Sequence, residues 1–374
     1  MKKLFTVIAL LSSVMTQAQS PKEVIYVGTY STRGSEGIYV LEFDRASGSL
    51  KQLQTVSNAK SPSFLAIHPT GKYLYSVNEA AANSGGVSSY AIEPQTGKLT
   101  MMNQQSSHGR GPCHIAIDQS GKLAFVSNYG GGTFTVLPIQ EDGKLGVATD
   151  SLKYEGKGAN PQRQEKPHIH SATVSPNNRF VYVCDLGTDK VYIYEFDKAS
   201  GKVKPAATPY ASVAPGSGPR HIAIHPNGKF LYLVEEINSS VATFALDDKT
   251  GALTLLQDNV KTLPADFNGK NTSADIHTDP KGKFLYQSNR GYDGLAILAI
   301  ANDGKVTLTG QQSTEGKTPR NFLIDPKGEY AFAANQDTDN IVVYKVDGKT
   351  GQLTPTGTQI KVPAPVCLKL FTVK

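Results

Sequence analysis

A hairpin motif that recurs seven times, a second that recurs six times, and a repeat of about 50 residues predict an all-β chain folded as a seven-bladed β-propeller. The first motif reads roughly Asp-x-x-Ser/Thr-Gly-x-Leu, as in FDRASGSLKQL, FDKASGKVKPA and VDGKTGQLTPT. Its glycines are Gly48, Gly97, Gly143, Gly201, Gly251, Gly304 and Gly351. An acidic residue and a Gly between alternating apolar runs is hairpin chemistry, because Gly accepts the positive φ of the turn. The second motif, His/Asp/Ser-Pro-x-Gly-Lys-aromatic, gives HPTGKYLY, DQSGKLAF, SPNNRFVY, HPNGKFLY, DPKGKFLY and DPKGEYAF. Gln119 stands in place of Pro in one copy, and Asn178 in place of Gly in another.

Each repeat therefore holds four strands. Strand A precedes the Pro-Gly turn and B follows it; C precedes the second turn and D lies beyond. Four strands in about 50 residues make one blade. The unmatched seventh hairpin is N-terminal, where EVIYVGTY, GIYVLEF and SLKQLQ supply B, C and D without an A. Residues 365–370 (PVCLKL) match 219–224 (PRHIAI) in pattern, so the C-terminus is expected to supply the missing strand. That closure leaves no open sheet edge at the seam.

The residues ahead of the repeats read as a secretory signal. Lys2 and Lys3 form a basic start, Leu4 to Val14 an apolar stretch, and Thr16-Gln17-Ala18 a small-residue cleavage site. Residues 1–18 are thus assigned to a signal peptide, 19–374 to the propeller, and the mature protein to the periplasm or the exterior. Loss of two lysines lowers the formal charge from +6 to +4. No basic stripe accompanies that excess, which argues against nucleic acid and suits a small anionic substrate. With 39% hydrophobic and 19% charged residues, the chain is globular. Cys113, Cys184 and Cys367 are too few and scattered for a disulfide framework or zinc site, and read as buried hydrophobes.

Function in a propeller lies where equivalent positions of the repeats differ. Strand A runs down the channel and B runs back, so the residue opening A and the residue after B reach one face. The ring opening A reads Ser63, Cys113, His170, Arg220, Ala274, Arg320 and Val366, followed by Phe64, His114, Ser171, His221, Asp275, Asn321 and Cys367. The ring after B reads Tyr30, Glu79, Tyr129, Asp185, Glu236, Arg290 and Gln336. A His, three Arg and three acids at one channel mouth define a site. The residues also have structural readings: Arg220 as a strut to Glu235 or Asp185, His170 as a packed imidazole with His168 beside it, Arg290 as a loop cap. His221, His225, His68 and His277 read as turn and blade packing. The longest repeat step carries YEGKGANPQRQEKPH (154–168), which brings Lys157, Arg163 and Lys166 just ahead of His170 as a cover or a solvated loop.

Taken with KPHIHSATVSP, GPRHIAIHP, HPNGKFLYLVEEINSSVATF and QSNRGYDG, the chain from about residue 22 to 374 resembles the seven-bladed lactonase family. That family includes propeller-type bacterial 6-phosphogluconolactonases and fungal carboxy-muconate lactonizing enzymes. The resemblance puts the family's proposed histidine at His170, its arginines at Arg220 and Arg290, and its glutamate at Glu236. The secretion signal and the insertion before His170 depart from it. It implies a lactone hydrolase; Tyr129, Asp185, Glu79, Arg320 and His114, drawn from the same rings, are expected as further substrate contacts.

Lactone hydrolysis needs an activated water, a stabilised oxyanion and a protonated leaving alkoxide. His170 is the expected general base, Arg220 and Arg290 the anion or oxyanion partners, and Glu236 the group that orients one of them. No Gly-x-Ser-x-Gly elbow appears, so no acyl-enzyme is expected. No cofactor and no metal are expected; the expected partner is a small anionic lactone, and the protein is expected to be a monomer without nucleic acid or membrane association beyond the signal. Three rivals remain: a calcium lactonase ligated by Glu79, Asp185 and Glu236, a non-enzymatic envelope propeller binding a sugar or protein, and a cycloisomerase. As strand-end residues facing solvent, the four catalytic candidates are expected to be replaceable at little cost in stability.

Overall fold

A computed structural model describes residues 22–57, 59–80 and 85–373; the assigned signal peptide lies outside them. Twenty-eight strands form seven four-stranded antiparallel sheets, with no helix among the described residues. Six sheets are consecutive in sequence. The seventh pairs Pro365–Thr372 with Glu23–Thr29, then Ile38–Asp44 and Ser49–Val56, so the split blade closes as the repeat count requires. The pairing runs from Glu23 opposite Thr372 to Gly28 opposite Cys367.

The turn chemistry explains the hairpins. The six positions of the Pro-Gly turn all take positive φ, and Asn178 adopts 55° where the others have Gly. Asn tolerates this left-handed region better than most side chains. The alternating apolar residues of strands B and C then fill every blade interface. Leu231, Leu233 and Phe244 pack on Phe180, Tyr182 and Ile193, for example, and Ile25, Val27 and Leu41 pack on Phe332, Ile341 and Val343. The repeated strand-B tyrosine ties blades together: Tyr26, Tyr75 and Tyr286 each donate to the turn glycine carbonyl of the following blade, at 2.8–3.0 Å.

At the seam this hydrophobic packing is reinforced by charge. Arg45 lies within 2.6–2.9 Å of Glu23, Asp325 and Glu329, clamping the split blade to its neighbour. The seven A strands surround the channel, and that is where the site lies.

Candidate active site

Strand A breaks its register at the position that opens the ring. The pairing skips Cys113, His170, Arg320 and Val366 singly, Arg220 together with His221, and Ala274 together with Asp275. Such bulges re-aim side chains and terminate pairing. Here they turn the ring residues into the channel in six of seven blades.

A pocket of about 270 Å³ is lined by Glu79, Cys113, Tyr129, Arg163, His170, Glu236, Thr272, Arg290 and Arg320. Arg220 joins His170, Glu79 and Arg320 around a small cavity directly beneath, with Tyr30 and Ser63. His170, Arg220, Glu236 and Arg290 thus meet at one place despite their separation in sequence.

Glu236 is the hub. Its Oε2 accepts from Arg220 Nε at 2.8 Å and lies 3.2 Å from Arg290, while Oε1 accepts from Arg163 at 2.5 Å. Burial alone would raise its pKa, but Arg290, Arg220 and Arg163 hold it well below the usual range. A carboxylate so held serves as an anion and cannot donate a proton. Arg290 is lowered to about 9, first by burial and then by Arg220 and Arg320 against Glu236, so it remains cationic at neutral pH.

His170 sits opposite. Its Nε2 is 4.0 Å from Glu236 Oε2, and its buried Nδ1 has no hydrogen-bond partner among the described residues. Burial, then Arg220, His221, Arg320 and Arg290, push its pKa well below 6.5, so the imidazole is neutral. His168, the alternative base, is committed elsewhere: its ring nitrogens contact Tyr129 O at 3.1 Å and Glu165 at 3.2 Å, and its ring stacks on Tyr129 at 4.3 Å.

Arg320 differs from the other arginines. No carboxylate lies within ion-pair distance of it among the described residues; its guanidinium rests 5.3 Å over the Tyr30 ring. Glu79 accepts from Ser63 Oγ.

Three expectations are corrected. Asp185 does not reach the pocket. It pairs with Ile169 as Glu235 pairs with Pro219, so the residue equivalent to Glu236 is Leu186, and a one-residue slip turns a side chain to the other face. Its Oδ1 accepts from His168 N and Gly187 N, and Oδ2 from Thr188, locking the loop. His114 lies one layer deeper, its ring tilted against Phe64 at 4.1 Å, where it lines a separate 690 Å³ cavity at the other channel end. Three of the four catalytic candidates are buried and not solvent-facing, with Arg220 2% exposed and His170 and Glu236 4% exposed, and Arg290 is partly buried.

The sequence also left Arg163 undecided. Of the three insertion cations, it alone lines the pocket. The insertion is pinned by Gln164, which is fully buried and donates to Leu186 O and Asp189 Oδ1 at 2.8 and 2.7 Å. Lys166 instead donates to Gly130 O, and Lys157 is exposed. Among the described residues no three His, Cys, Asp or Glu side chains are placed to hold a metal ion.

A closed propeller whose bulged inner strands gather arginines, a glutamate and a neutral imidazole around one pocket has the architecture of a small-molecule hydrolase. The family model described as "Lactonase, 7-bladed beta-propeller" matches residues 24–370, and the chain belongs to that family. It is 36% identical to a 6-phosphogluconolactonase of Bacillus subtilis, over 94% of this chain and 99% of that protein. A 6-phosphogluconolactonase of Formosa agariphila is also 36% identical, over 93% and 99%. The structure of a periplasmic gluconolactonase from Pseudomonas aeruginosa superposes with a TM-score of 0.88 at 31% identity, covering 94% of this chain and all of that one.

Proposed function

We propose that this chain hydrolyses an anionic sugar lactone, as a 6-phosphogluconolactonase-like enzyme, by acid–base catalysis that needs no metal. The observation that carries the reading is the placement of His170 in a pocket walled by Arg163, Arg290 and Arg320, where burial and the arginines lower its pKa. Water attacks the lactone carbonyl carbon and gives its proton to His170, which is unprotonated and ready to accept it. Arg290 and the free edge of Arg220 stabilise the oxyanion. Collapse breaks the bond from carbonyl carbon to ring oxygen, and His170 returns the proton to the departing alkoxide. Glu236 fixes the arginines and takes no proton.

Four arginines (Arg163, Arg220, Arg290, Arg320) face two glutamates (Glu79, Glu236) here, which leaves an excess of two positive charges for an anionic group. Arg320, with no carboxylate partner, is its receptor. Independence from calcium is supported by the carboxylates' other commitments, Glu236 to arginines and Asp185 to its loop. The signal-like start at residues 1–18 supports export.

The test is acid release from a panel of lactones, phosphorylated and not, with and without chelator. Ring opening well above the spontaneous rate, undiminished by chelator, is the expected result. Tight sugar binding with no acceleration on any lactone would instead make the protein a binder.

A further inference from the structure

Below the pocket a line of polar side chains continues down the channel from blade to blade. Arg220 Nη1 lies 3.2 Å from His221 Nε2, and His221 Nδ1 lies 2.8 Å from Asp275 Oδ1. Asp275 Oδ2 meets His277 Nε2 at 2.9 Å and accepts from Asn321 Nδ2, whose Oδ1 takes the Leu368 amide at 2.7 Å. His221 and Asp275 both face inward because each shares the bulge of its strand with a ring residue.

The chemistry of the two ends decides the proton between them. A guanidinium can only donate and a carboxylate can only accept. A proton on His221 Nε2 would set two donors face to face at the arginine and two lone pairs face to face at Asp275. The proton therefore sits on Nδ1, and Nε2 presents a bare lone pair to Arg220. Arg220 is thereby held on three sides: Nε by Glu236, Nη1 by His221 and by Ala274 O at 2.6 Å. Nη2 carries no hydrogen bond to the described residues and is left for a ligand.

We propose that Asp275 and His221 are positioning residues: the carboxylate fixes the histidine tautomer, and the histidine aims Arg220 at the reacting centre. Asp275 lines neither cavity of the mouth, and His221 lines only the small one, beside Arg220. The kinetic part of this inference rests on the lactonase reading; the tautomer does not. The surroundings of His221 agree with a neutral ring. Besides Arg220 and Asp275, it packs near the rings of His114 and His170, at 5.4 and 5.2 Å, with Lys369 also lining its cavity. Burial first, then Arg220, lower its pKa to about 4 against the pull of Asp275.

The experiment has two arms on the whole mature protein. Nitrogen-15 NMR of labelled histidines in the unmutated protein is expected to show His221 as the Nδ1–H tautomer, neutral at pH 6. An Nε2–H tautomer, or a charged ring at that pH, overturns the proposal without any variant having to fold. In the kinetic arm, Asp275→Asn is expected to lower kcat about 10- to 100-fold, the usual scale for a group that orients a ligating residue, with a smaller change in KM. The same substitution added to Arg220→Ala is expected to cost little more, since its effect runs through Arg220. Equal losses in both backgrounds would reduce Asp275 to a general structural role. A protein without lactonase activity whose His221 is still the Nδ1–H tautomer would defeat the lactonase reading and leave the tautomer assignment standing.

Discussion

The two ends of the channel are built by the same seven strands and could hardly differ more. At the end away from the site, equivalent A-strand positions read Ile67, Ile117, Val174, Ile224, Thr278, Ile324 and Leu370, all aliphatic but one. At the mouth the same strands open with Ser63, Cys113, His170, Arg220, Ala274, Arg320 and Val366, no two blades in agreement save two arginines. The larger cavity, of 690 Å³, lies at the uniform end and is lined largely by aliphatic side chains. The smaller one holds Arg163, Arg290, Arg320, Glu79 and Glu236. Uniformity marks the positions that close the ring; the size of a cavity says less about chemistry than the disagreement of repeats around it.

The most damaging break in this scheme is at the seam. Removing residues 366–374 strips the split blade of its inner strand and exposes the edge of Glu23–Thr29. We expect aggregation or loss of a cooperative melt, measured by scattering and calorimetry. A truncated chain that stays monomeric and melts unchanged would contradict the closure.

Next comes the hub of the mouth. Glu236→Gln keeps the shape but leaves Arg220 and Arg290 buried without their counter-charge. Removing one partner of a buried ion pair costs about 3–5 kcal/mol, so a clear drop in melting temperature is expected. This reverses the expectation from sequence that mouth residues are replaceable. An unchanged melt would mean that water penetrates the network.

For His170→Ala we expect turnover to fall about a hundredfold, the common scale for a positioned base. The pH profile sharpens the point. An ordinary histidine base loses activity as pH falls through about 6.5, when it becomes protonated. His170 has its pKa depressed by burial and by arginines, so it stays neutral at lower pH and the acid limb of kcat/KM lies below 6.5. A limb centred at 6.5 or above would mean another group is the base.

How far the sequence carried these comparisons depends on which physics is local. Hairpin turns are local chemistry, so blade number, strand order and the split seam were readable from Gly, Pro and Asn placement. Register was readable wherever strand B ended in a recognisable way, and failed at Asp185, where an acid at a strand end stood in for Leu186. Depth was not readable: period-two alternation gives a face, and the bulges that sink Arg220 and His170 obey no alternation. The same bulges hid the His221–Asp275 pair, because two consecutive residues are not expected to face one channel. Arg163 was underdetermined because its insertion has no counterpart in the other blades.

Specificity is a finer contrast within the mouth. Among the described residues Arg320 has no ion pair, whereas Arg163, Arg220 and Arg290 share Glu236. Arg320→Gln is therefore expected to lower kcat/KM for a phosphorylated lactone about tenfold more than for its neutral counterpart, the scale of one lost charge-assisted contact. Equal losses on both substrates would move the anion receptor elsewhere.

The smallest effect belongs to the uniform end, and it tests whether the two ends are separable at all. Ile224 is partly buried, opposite Leu231, and packs against the cluster that joins the third and fourth blades. Ile224→Val removes one methylene from a site that borders an open cavity, so the neighbouring side chains can relax into the space. Such changes cost about 0.5–1.5 kcal/mol in full cores, and the open wall places this one near the lower limit. Ile224 shares its strand with Arg220, but the bulge at Arg220 and His221 lies between them and interrupts the ladder. A shift at Ile224 therefore has no continuous run of paired backbone along which to reach the mouth. We expect lactone turnover and KM within a factor of two of the unmutated protein, with a melting temperature lowered by a degree or two. A loss of turnover comparable to that of a mouth variant would show that the ends are mechanically coupled through the channel lining.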